Sequence, residues 1–321
     1  MNDKKNSTRK LHLIRKKMWD ASIKKFQFFF DKKTNLIHKK YTEIRNCPAC
    51  NSKDNKFILN KNGGTYVECK KCNMMFLNPT LKDKNLENHY RKNHDIRSKI
   101  SLKDIKFFKF TYSKGLDLIR KHIKTPGNIL DVGCSAGMFL DLAKKSRWKT
   151  YGLELNSREA RIASKNGHNV QQKILEDSNF NVKFDAITFW DSFEHIKNGL
   201  QCLNDCKKIL KNGGIVFLQC PSRDSLALKI LQEKCNMLDG VEHVNIYGSK
   251  SLLKLSERAN SKILDYKTII SEIGVINNHL NFDDPYLGDT ENTKTIFKII
   301  DEKKMHQNKL GYKFQTCIKF K

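Results

Sequence analysis

Four cysteines form the strongest chemical pattern in this 321-residue sequence. They make two Cys-x-x-Cys pairs with 18 residues between the pairs: Cys47, Cys50, Cys69 and Cys72. Each pair can present two thiolates to one metal ion, and Gly63-Gly64 can turn a hairpin that brings the pairs together. The pattern predicts a structural Zn2+ site, because four protein ligands leave no open position for catalysis. Two disulfides and a redox Cys-x-x-Cys are the alternatives, and a reducing compartment disfavours the first.

A glycine-containing loop, "ILDVGCSAGMF", follows a short apolar run. The dinucleotide fingerprint requires glycines where this loop has Gly133, Ser135 and Met138, so two of the three positions fail. The Gly-Lys-Ser/Thr ending of a P-loop is also absent. A tight turn at Gly133, a close approach at Gly137 and an acid at Asp131 instead suit a cofactor with cationic groups and no phosphate. The loop therefore favours S-adenosyl-L-methionine.

Glu154 in "YGLEL" supports the same cofactor. It lies 21 positions after Gly133, about where a carboxylate that accepts hydrogen bonds from both ribose hydroxyls belongs. The alternative for Glu154 alone is a solvated acid at the end of a strand. The hydroxyl of Ser135 is predicted to donate a hydrogen bond to the methionine end of the cofactor.

The elements that must position these residues alternate from residue 128 onward. Short apolar runs such as "NILDVGC", "KTYGLEL", "FDAITFWD" and "IVFLQCP" predict strands, and the amphipathic segments between them predict helices. One more helix is predicted over 249–258, and the pattern weakens after about 270. This alternation indicates an α/β fold with a parallel sheet and helices on both faces.

Seven segments together resemble a class I S-adenosylmethionine-dependent methyltransferase with an N-terminal zinc ribbon. They are "CPAC", "YVECKKCNMMFLNP", "ILDVGCSAGMFLDLA", "GLELN", "FDAITFWDSFEHI", "LKNGGIVFLQCPS" and "EHVNIYGSKSLLKL". The resemblance implies a Rossmann-like sheet of seven strands behind a small zinc-ribbon module. It also implies cofactor contacts at Asp131, Gly133, Gly137 and Glu154, and an adenine contact near Leu175 and Glu176.

Five regions follow from these patterns. We expect a basic N-terminal extension over 1–44, a zinc ribbon over 45–80, a helical connector over 81–125, a methyltransferase domain over 126–270 and a C-terminal extension over 271–321. In the first region Leu11, Ile14, Met18, Phe26 and Phe30 follow helical spacing. We expect this apolar stripe to dock on the body of the protein or on a partner, with a membrane surface as the alternative.

The acceptor of the methyl group is predicted to bind where "FDAITFWDSFEHI" ends. Asp191 there is a candidate cofactor contact, and His195 and His243 are candidate bases, since the pKa of histidine lies near neutrality. Helix capping for His195 and a structural loop role for His243 are the alternatives. The [D/N]PP[Y/F] tetrapeptide of enzymes that methylate base amines is missing. The resemblance favours O- or C-methylation of a small molecule, sugar or polysaccharide precursor.

The net charge of +27 leaves a second function open, a zinc-ribbon RNA methyltransferase. The basic residues are mainly scattered lysines, however, and nucleic-acid readers depend on arginine for bidentate contacts. A non-catalytic scaffold is a third alternative, which the intact loop disfavours. No apolar run reaches the ~18 residues that a transmembrane helix needs, and no secretory signal is visible. These features predict a cytoplasmic protein; they do not predict its oligomeric state.

Overall fold

The computed structural model describes residues 23–24, 26–92, 105–270, 276 and 301–321. Leu11, Ile14 and Met18 of the predicted apolar stripe lie outside the described residues. Phe26 of the same stripe is 3% exposed and packs among apolar residues of the body of the protein. One residue of the stripe therefore contacts the body of the protein.

Residues 42–81 form small antiparallel sheets around the four cysteines. The strands are β1 (Thr42–Glu43), β2 (Asn55–Lys61), β3 (Gly64–Cys69), β4 (Met75–Leu77) and β5 (Thr80–Leu81). β2 and β3 form the hairpin expected from the paired glycines, and its turn lies at Asn62 and Gly63, where φ is +46° and +82°. β1 pairs with β5.

A seven-stranded sheet forms the core of the molecule. Its strands are β6 (Asn128–Val132), β7 (Lys149–Leu153), β8 (Asn169–Gln171), β9 (Phe184–Trp190), β10 (Leu210–Pro221), β12 (Ser261–Ile269) and β13 (Lys313–Phe320), and they lie in the order β12-β13-β10-β9-β6-β7-β8. β6 to β10 are parallel, whereas β13 is antiparallel to both of its neighbours. The α/β class and the seven strands are confirmed.

Helices cover the sheet and join the ribbon to it. They are α1 (Asp83–Lys92), α2 (Ile105–His122), α3 (Met138–Lys145), α4 (Ser157–Lys165), α5 (Gly199–Ile209), α6 (Leu226–Leu231), α7 (Ser249–Arg258) and α8 (Glu302–Gln307). The predicted helix over 249–258 is α7. Within the described residues, no helix is both long and apolar enough to cross a membrane.

Two elements outside the predicted methyltransferase domain, 126–270, pack with its sheet. α2 lies in the predicted connector over 81–125, yet Leu116, Leu118 and Ile119 are buried in the same apolar cluster as Ile129 of β6. β13 lies in the predicted C-terminal extension over 271–321, yet it is inserted between β10 and β12. The sheet therefore needs residues on both sides of 126–270.

The ribbon is also continuous with the rest of the molecule. A short strand from the second half of the chain, β11 (Asn245–Ile246), pairs with β4 and completes a four-stranded sheet in the order β11-β4-β3-β2. The half-buried guanidinium of Arg45 reinforces this junction, since it donates to the carbonyl oxygens of Leu77, Lys197 and Val244. The ribbon therefore has a fixed position beside the sheet.

Candidate active site

One cavity of about 1320 Å³ opens at the carboxyl ends of the parallel strands and reaches the ribbon. We divide its wall into two halves. The cofactor half consists of Asp131–Ser135, Leu153–Asn156, Glu159 and Lys173–Glu176. The acceptor half consists of Tyr90, Glu194–Ile196, Asn236–Met237 and Glu242–His243. Asp191 and Lys313 lie in the wall beside Glu194.

The turn after β6 has the tight geometry expected of the glycine-containing loop. Gly133 has φ +80°, and a Cβ atom at this position would lie 3.0 Å from the Cβ of Ser192. Gly137 has φ +87° and is the N-cap of α3, but a Cβ there would meet the ring of His168 at 2.9 Å. Gly137 is not among the residues that line the cavity. Its need for glycine therefore comes from backbone conformation and helix packing.

Glu154 stands at the end of β7 in the position predicted for a ribose-binding carboxylate. One oxygen accepts the backbone N–H of Ser135 at 2.9 Å, and the other accepts the backbone N–H of Asn156 at 2.8 Å. Each carboxylate oxygen has more than one lone pair, so these bonds orient the group without exhausting it. Glu154 therefore ties the loop after β6 to the loop after β7.

The Ser135 side chain has a different partner from the one predicted. Its hydroxyl donates to Glu159 at 2.8 Å, and the residue adopts φ +49°, which is unusual for a residue other than glycine. The hydroxyl proton therefore holds the loop to α4.

Two aspartates lie at the ends of neighbouring strands. Asp131 is 2% exposed and accepts a hydrogen bond from Thr188 at 2.8 Å. Burial raises its pKa to about 7, against the opposing effect of that bond. Asp191 has φ +52° and is held by Lys313 at 2.6 Å and Gln219 at 3.0 Å. Both carboxyls line the cavity.

The predicted adenine contacts lie on the loop after β8. Leu175 and Glu176 both line the cavity. Leu175 also packs against the apolar core, and its carbonyl accepts the hydroxyl of Ser178 at 2.8 Å. The loop therefore forms a fixed side wall of the cofactor half.

The two predicted histidines come together although 47 residues separate them in the chain. The ring centroids of His195 and His243 lie 4.9 Å apart with an edge-to-face geometry. Nδ1 of His195 lies 2.9 Å from the Glu242 carbonyl oxygen, and Nδ1 of His243 lies 2.7 Å from that of Met237. A carbonyl oxygen can only accept, so both Nδ1 atoms carry the proton, and in the neutral rings Nε2 carries a lone pair.

Glu194 completes this group. Its side chain is fully buried, and no hydrogen bond to either carboxyl oxygen is formed within the part of the chain that the structure describes. Burial and the neighbouring Asp191 raise its pKa to about 7, although His243 and Lys313 act in the opposite direction. A buried carboxyl without a hydrogen-bonding partner is costly, so this group needs an explanation.

The ribbon holds the loop that carries His243. Asp239 accepts the backbone N–H groups of Val241, Glu242 and His243 at 2.8–3.0 Å. The hydroxyl of Tyr66 in β3 accepts the Gly240 N–H at 3.2 Å and donates to the His243 carbonyl at 3.1 Å.

Gly240 fits this contact because it has no side chain. Its φ is +84°, and a Cβ there would lie 1.9 Å from the backbone oxygen of Lys61 in β2. The β2–β3 hairpin therefore sets the position of one wall of the acceptor half.

The four ribbon cysteines converge as the spacing predicts. Their Sγ atoms all lie within 4.8 Å of one another, with 3.5 Å between Cys47 and Cys72 and 3.5 Å between Cys50 and Cys69. Asn51 and Asn73 follow the two pairs with matching φ values of +62° and +58°. Two equivalent knuckles with four thiols fit a structural Zn2+ ion.

The wall of the cavity is acidic, in contrast to the chain as a whole. Eleven aspartate and glutamate side chains line it beside five lysine and arginine side chains, whereas the whole chain carries a net charge of +27. An acidic wall repels phosphate groups. The basic character of the chain therefore does not extend into this cavity.

Several residues of the site carried no sequence signal of their own. Tyr90 of α1, whose hydroxyl lies 3.0 Å from Nδ1 of His195, belongs to a segment that reads only as helix. Lys313 lies in a region where the apolar pattern is weak. Glu194 stands beside a predicted candidate, and only its burial distinguishes it.

Comparisons with known proteins give matches to methyltransferases. A family described as a methyltransferase domain matches residues 107–266. An uncharacterized protein of Methanocaldococcus jannaschii is 27% identical over 164 residues, which are 50% of this chain and 78% of that protein. The ubiquinone biosynthesis O-methyltransferase of Haemophilus ducreyi is 29% identical over 107 residues. The matched region covers 30% of this chain and 45% of that protein. The plantazolicin methyltransferase BpumL, solved with SAH, has a TM-score of 0.49 at 17% identity, covering 74% of this chain and 94% of that one.

Proposed function

We propose that this protein is a methyltransferase that uses S-adenosylmethionine, because residues 107–266 match a family described as a methyltransferase domain and the sheet has the seven strands that the sequence resemblance implies. The acceptor in this proposal is a hydroxyl or an acidic carbon of a small molecule, sugar or polysaccharide precursor. One observation carries the proposal: a single cavity joins the loops predicted to bind the cofactor to a buried cluster of two histidines and a glutamate.

Each side of the cofactor half has a separate task in this proposal. Glu154 accepts the ribose hydroxyls while it keeps the turn at Ser135 in place. Asp131 offers a negative charge to the cationic end of the cofactor. The side wall at Leu175 and Glu176 receives the adenine. Gly133 keeps the turn short, so that the bound cofactor lies close to the strand ends.

Methyl transfer requires the acceptor to be aligned with the methyl group more than it requires the cofactor to be activated. When bound, the cofactor supplies a methyl group on a sulfonium, whose carbon–sulfur bond breaks as the acceptor bonds to that carbon, and the electron pair stays on sulfur. The acceptor must also lose a proton. We assign its removal to the cluster of Glu194, His195 and His243, because this cluster faces the same cavity from the acceptor half.

The acidic wall supports a small or neutral acceptor over RNA. A polyanion that entered the cavity would have to place its backbone near the acidic side chains of Glu43, Asp83 and Glu87. The RNA alternative thus relies on the surface charge alone. A non-catalytic scaffold would not need a buried acidic and imidazole cluster beside the cofactor half.

The test is transfer of label. The protein is incubated with S-adenosylmethionine labelled in its methyl group and with fractionated cell extract, and label is followed into RNA, glycan and small-molecule fractions. Label in a small-molecule or glycan fraction supports the proposal. Label in RNA alone, or in no fraction although the cofactor binds, contradicts it.

A further inference from the structure

The cluster of Glu194, His195 and His243 has the composition of a metal site. One ligating atom from each of the three residues lies within 4.8 Å of those of the other two. Two imidazoles and one carboxylate form a recurring ligand set for divalent transition metals, in which the remaining coordination positions stay open. The ribbon cluster, in contrast, offers four thiols and would be closed.

The surroundings of both histidines match those of metal ligands. A metal-bound histidine usually donates its second ring N–H to a carbonyl or carboxylate, which fixes the ring and its tautomer. His195 donates from Nδ1 to the Glu242 carbonyl, and His243 donates from Nδ1 to the Met237 carbonyl. Both neutral rings then carry the lone pair on Nε2.

The carboxyl of Glu194 supplies an independent observation. It is fully buried, lines the cavity and has no hydrogen bond in the described structure. Its neighbour Cys220 offers only a thiol, which is a weak donor. A cation between Glu194 and the two rings would give the buried carboxyl a partner.

We propose that Glu194, His195 and His243 bind one divalent metal ion, and that the acceptor hydroxyl occupies an open position on it. This inference rests on the proposed function and specifies how the acceptor loses its proton. Coordination to a divalent ion lowers the pKa of a hydroxyl, so the proton leaves to solvent and the oxygen attacks the methyl carbon.

The proposal favours a particular class of acceptor. Open positions on the ion suit oxygen ligands that can chelate, such as adjacent hydroxyls or a hydroxyl beside a carboxylate. The three ligating atoms already lie within 4.8 Å of one another, so one ion can contact all of them.

Mn2+ is a suitable probe because it favours oxygen and nitrogen ligands over thiolates, so it reports this cluster and not the ribbon. Loss of the free-ion electron paramagnetic resonance signal during a titration of the zinc-containing protein gives the stoichiometry. We expect one Mn2+ per chain, and we expect Glu194→Gln to weaken its binding at least about 100-fold. The exposed Glu257, which pairs with Lys254, provides the matched control Glu257→Gln, with unchanged binding.

A second variant allows the same test if Glu194→Gln does not fold. His195→Asn keeps a donor near the Glu242 carbonyl and removes the ligand nitrogen, so it too should lose Mn2+ binding. The proposal is wrong if the unmodified protein binds no Mn2+, or if both variants bind it as tightly as the unmodified protein does. Binding of Mn2+ without any methyl transfer would contradict the proposed function alone, and methyl transfer without bound metal would contradict the metal site alone.

Discussion

The two halves of the cavity differ in how the chain builds them. Most of the cofactor half comes from one stretch of about 30 residues, Asp131 to Glu159, in which two strand ends and their loops are linked by Glu154. The acceptor half combines α1, the turn after β9 and a loop before β11 that the ribbon holds. The comparison indicates that the fold supplies cofactor binding locally, whereas acceptor binding depends on contacts between distant segments.

Disruption of the zinc site should have the largest effect, and it should impair the acceptor half without impairing the cofactor half. A structural zinc contributes about 10–16 kcal/mol to its module, so Cys72→Ser should loosen the hairpin that positions His243. We expect a loss of methyl transfer of at least about 100-fold, measured with divalent metal added back, and a cofactor Kd within about threefold of the original. Cys317→Ser, at a buried cysteine in β13 outside the cluster, is the control. Retained transfer in Cys72→Ser would show that the acceptor half does not need the ribbon.

Gly240→Ala should have the next largest effect. The substitution adds backbone strain at φ +84° and a contact of 1.9 Å with the Lys61 oxygen. Gly213→Ala is its matched control, because Gly213 has φ +82° and no atom within 4 Å of the added Cβ. Strain alone costs about 1–3 kcal/mol and affects both variants. Gly240→Ala should therefore have a lower free energy of unfolding than Gly213→Ala, and its rate of methyl transfer should be about tenfold lower than that of Gly213→Ala. Equal losses in the two variants would mean that the hairpin contact is unimportant.

A smaller effect should appear in the pH dependence of cofactor affinity. Burial raises the pKa of Asp131 to about 7, so this carboxyl is largely neutral at pH 6 and largely charged at pH 8. A charged carboxylate attracts the cationic cofactor, so affinity should rise by up to about tenfold over this range. The rise should be absent in Asp131→Asn, as calorimetry at several pH values can measure. A rise of the same size in the variant would assign the effect to another group.

The smallest effect is expected at Ser135. Its hydroxyl donates to Glu159, and glycine accommodates φ +49° without strain. Ser135→Gly should therefore change the cofactor Kd by less than about threefold, because the lost hydrogen bond lies within the protein. A loss of cofactor affinity of tenfold or more would instead support the direct hydrogen bond to the methionine end that the sequence predicts.

The cofactor half could be predicted because its residues are close in sequence. Asp131, Gly133 and Glu154 follow strands with clear apolar patterns, and all three line the cavity. Gly137 shows the limit of this reasoning: the glycine is required, but the structure explains it by the ring of His168 and not by the cofactor. A glycine pattern identifies a constrained backbone and leaves its cause open.

The apolar pattern of the sequence does not reveal β13, the last strand of the sheet, for a physical reason. β13 is mostly buried, yet it carries Lys313, Gln315 and Thr316, which weaken the apolar pattern. Each has a partner that only the fold supplies: Lys313 pairs with Asp191, Gln315 donates to Gln219, and Thr316 donates to the Asp265 carbonyl. Polar residues that are satisfied by distant segments hide a buried strand from the sequence.

The acceptor cluster could be predicted only in part. His195 and His243 are visible as titratable residues, but their approach to 4.9 Å depends on the loop that Asp239 and Tyr66 hold in place. The isolation of Glu194 from hydrogen-bond donors is a property of the packed structure. The hydrogen bond from Tyr66 to the His243 carbonyl joins residues 177 positions apart, and no local pattern encodes it.

Binding of S-adenosylmethionine, measured by calorimetry on the full chain, tests the central claim most directly. The account predicts saturable binding of one cofactor per chain, weakened about 10- to 100-fold in Glu154→Gln, because the amide presents a donor to a backbone N–H and removes an acceptor for the ribose. Glu257→Gln should bind as the original protein does. Absence of binding, or equal affinity in Glu154→Gln, would contradict the account.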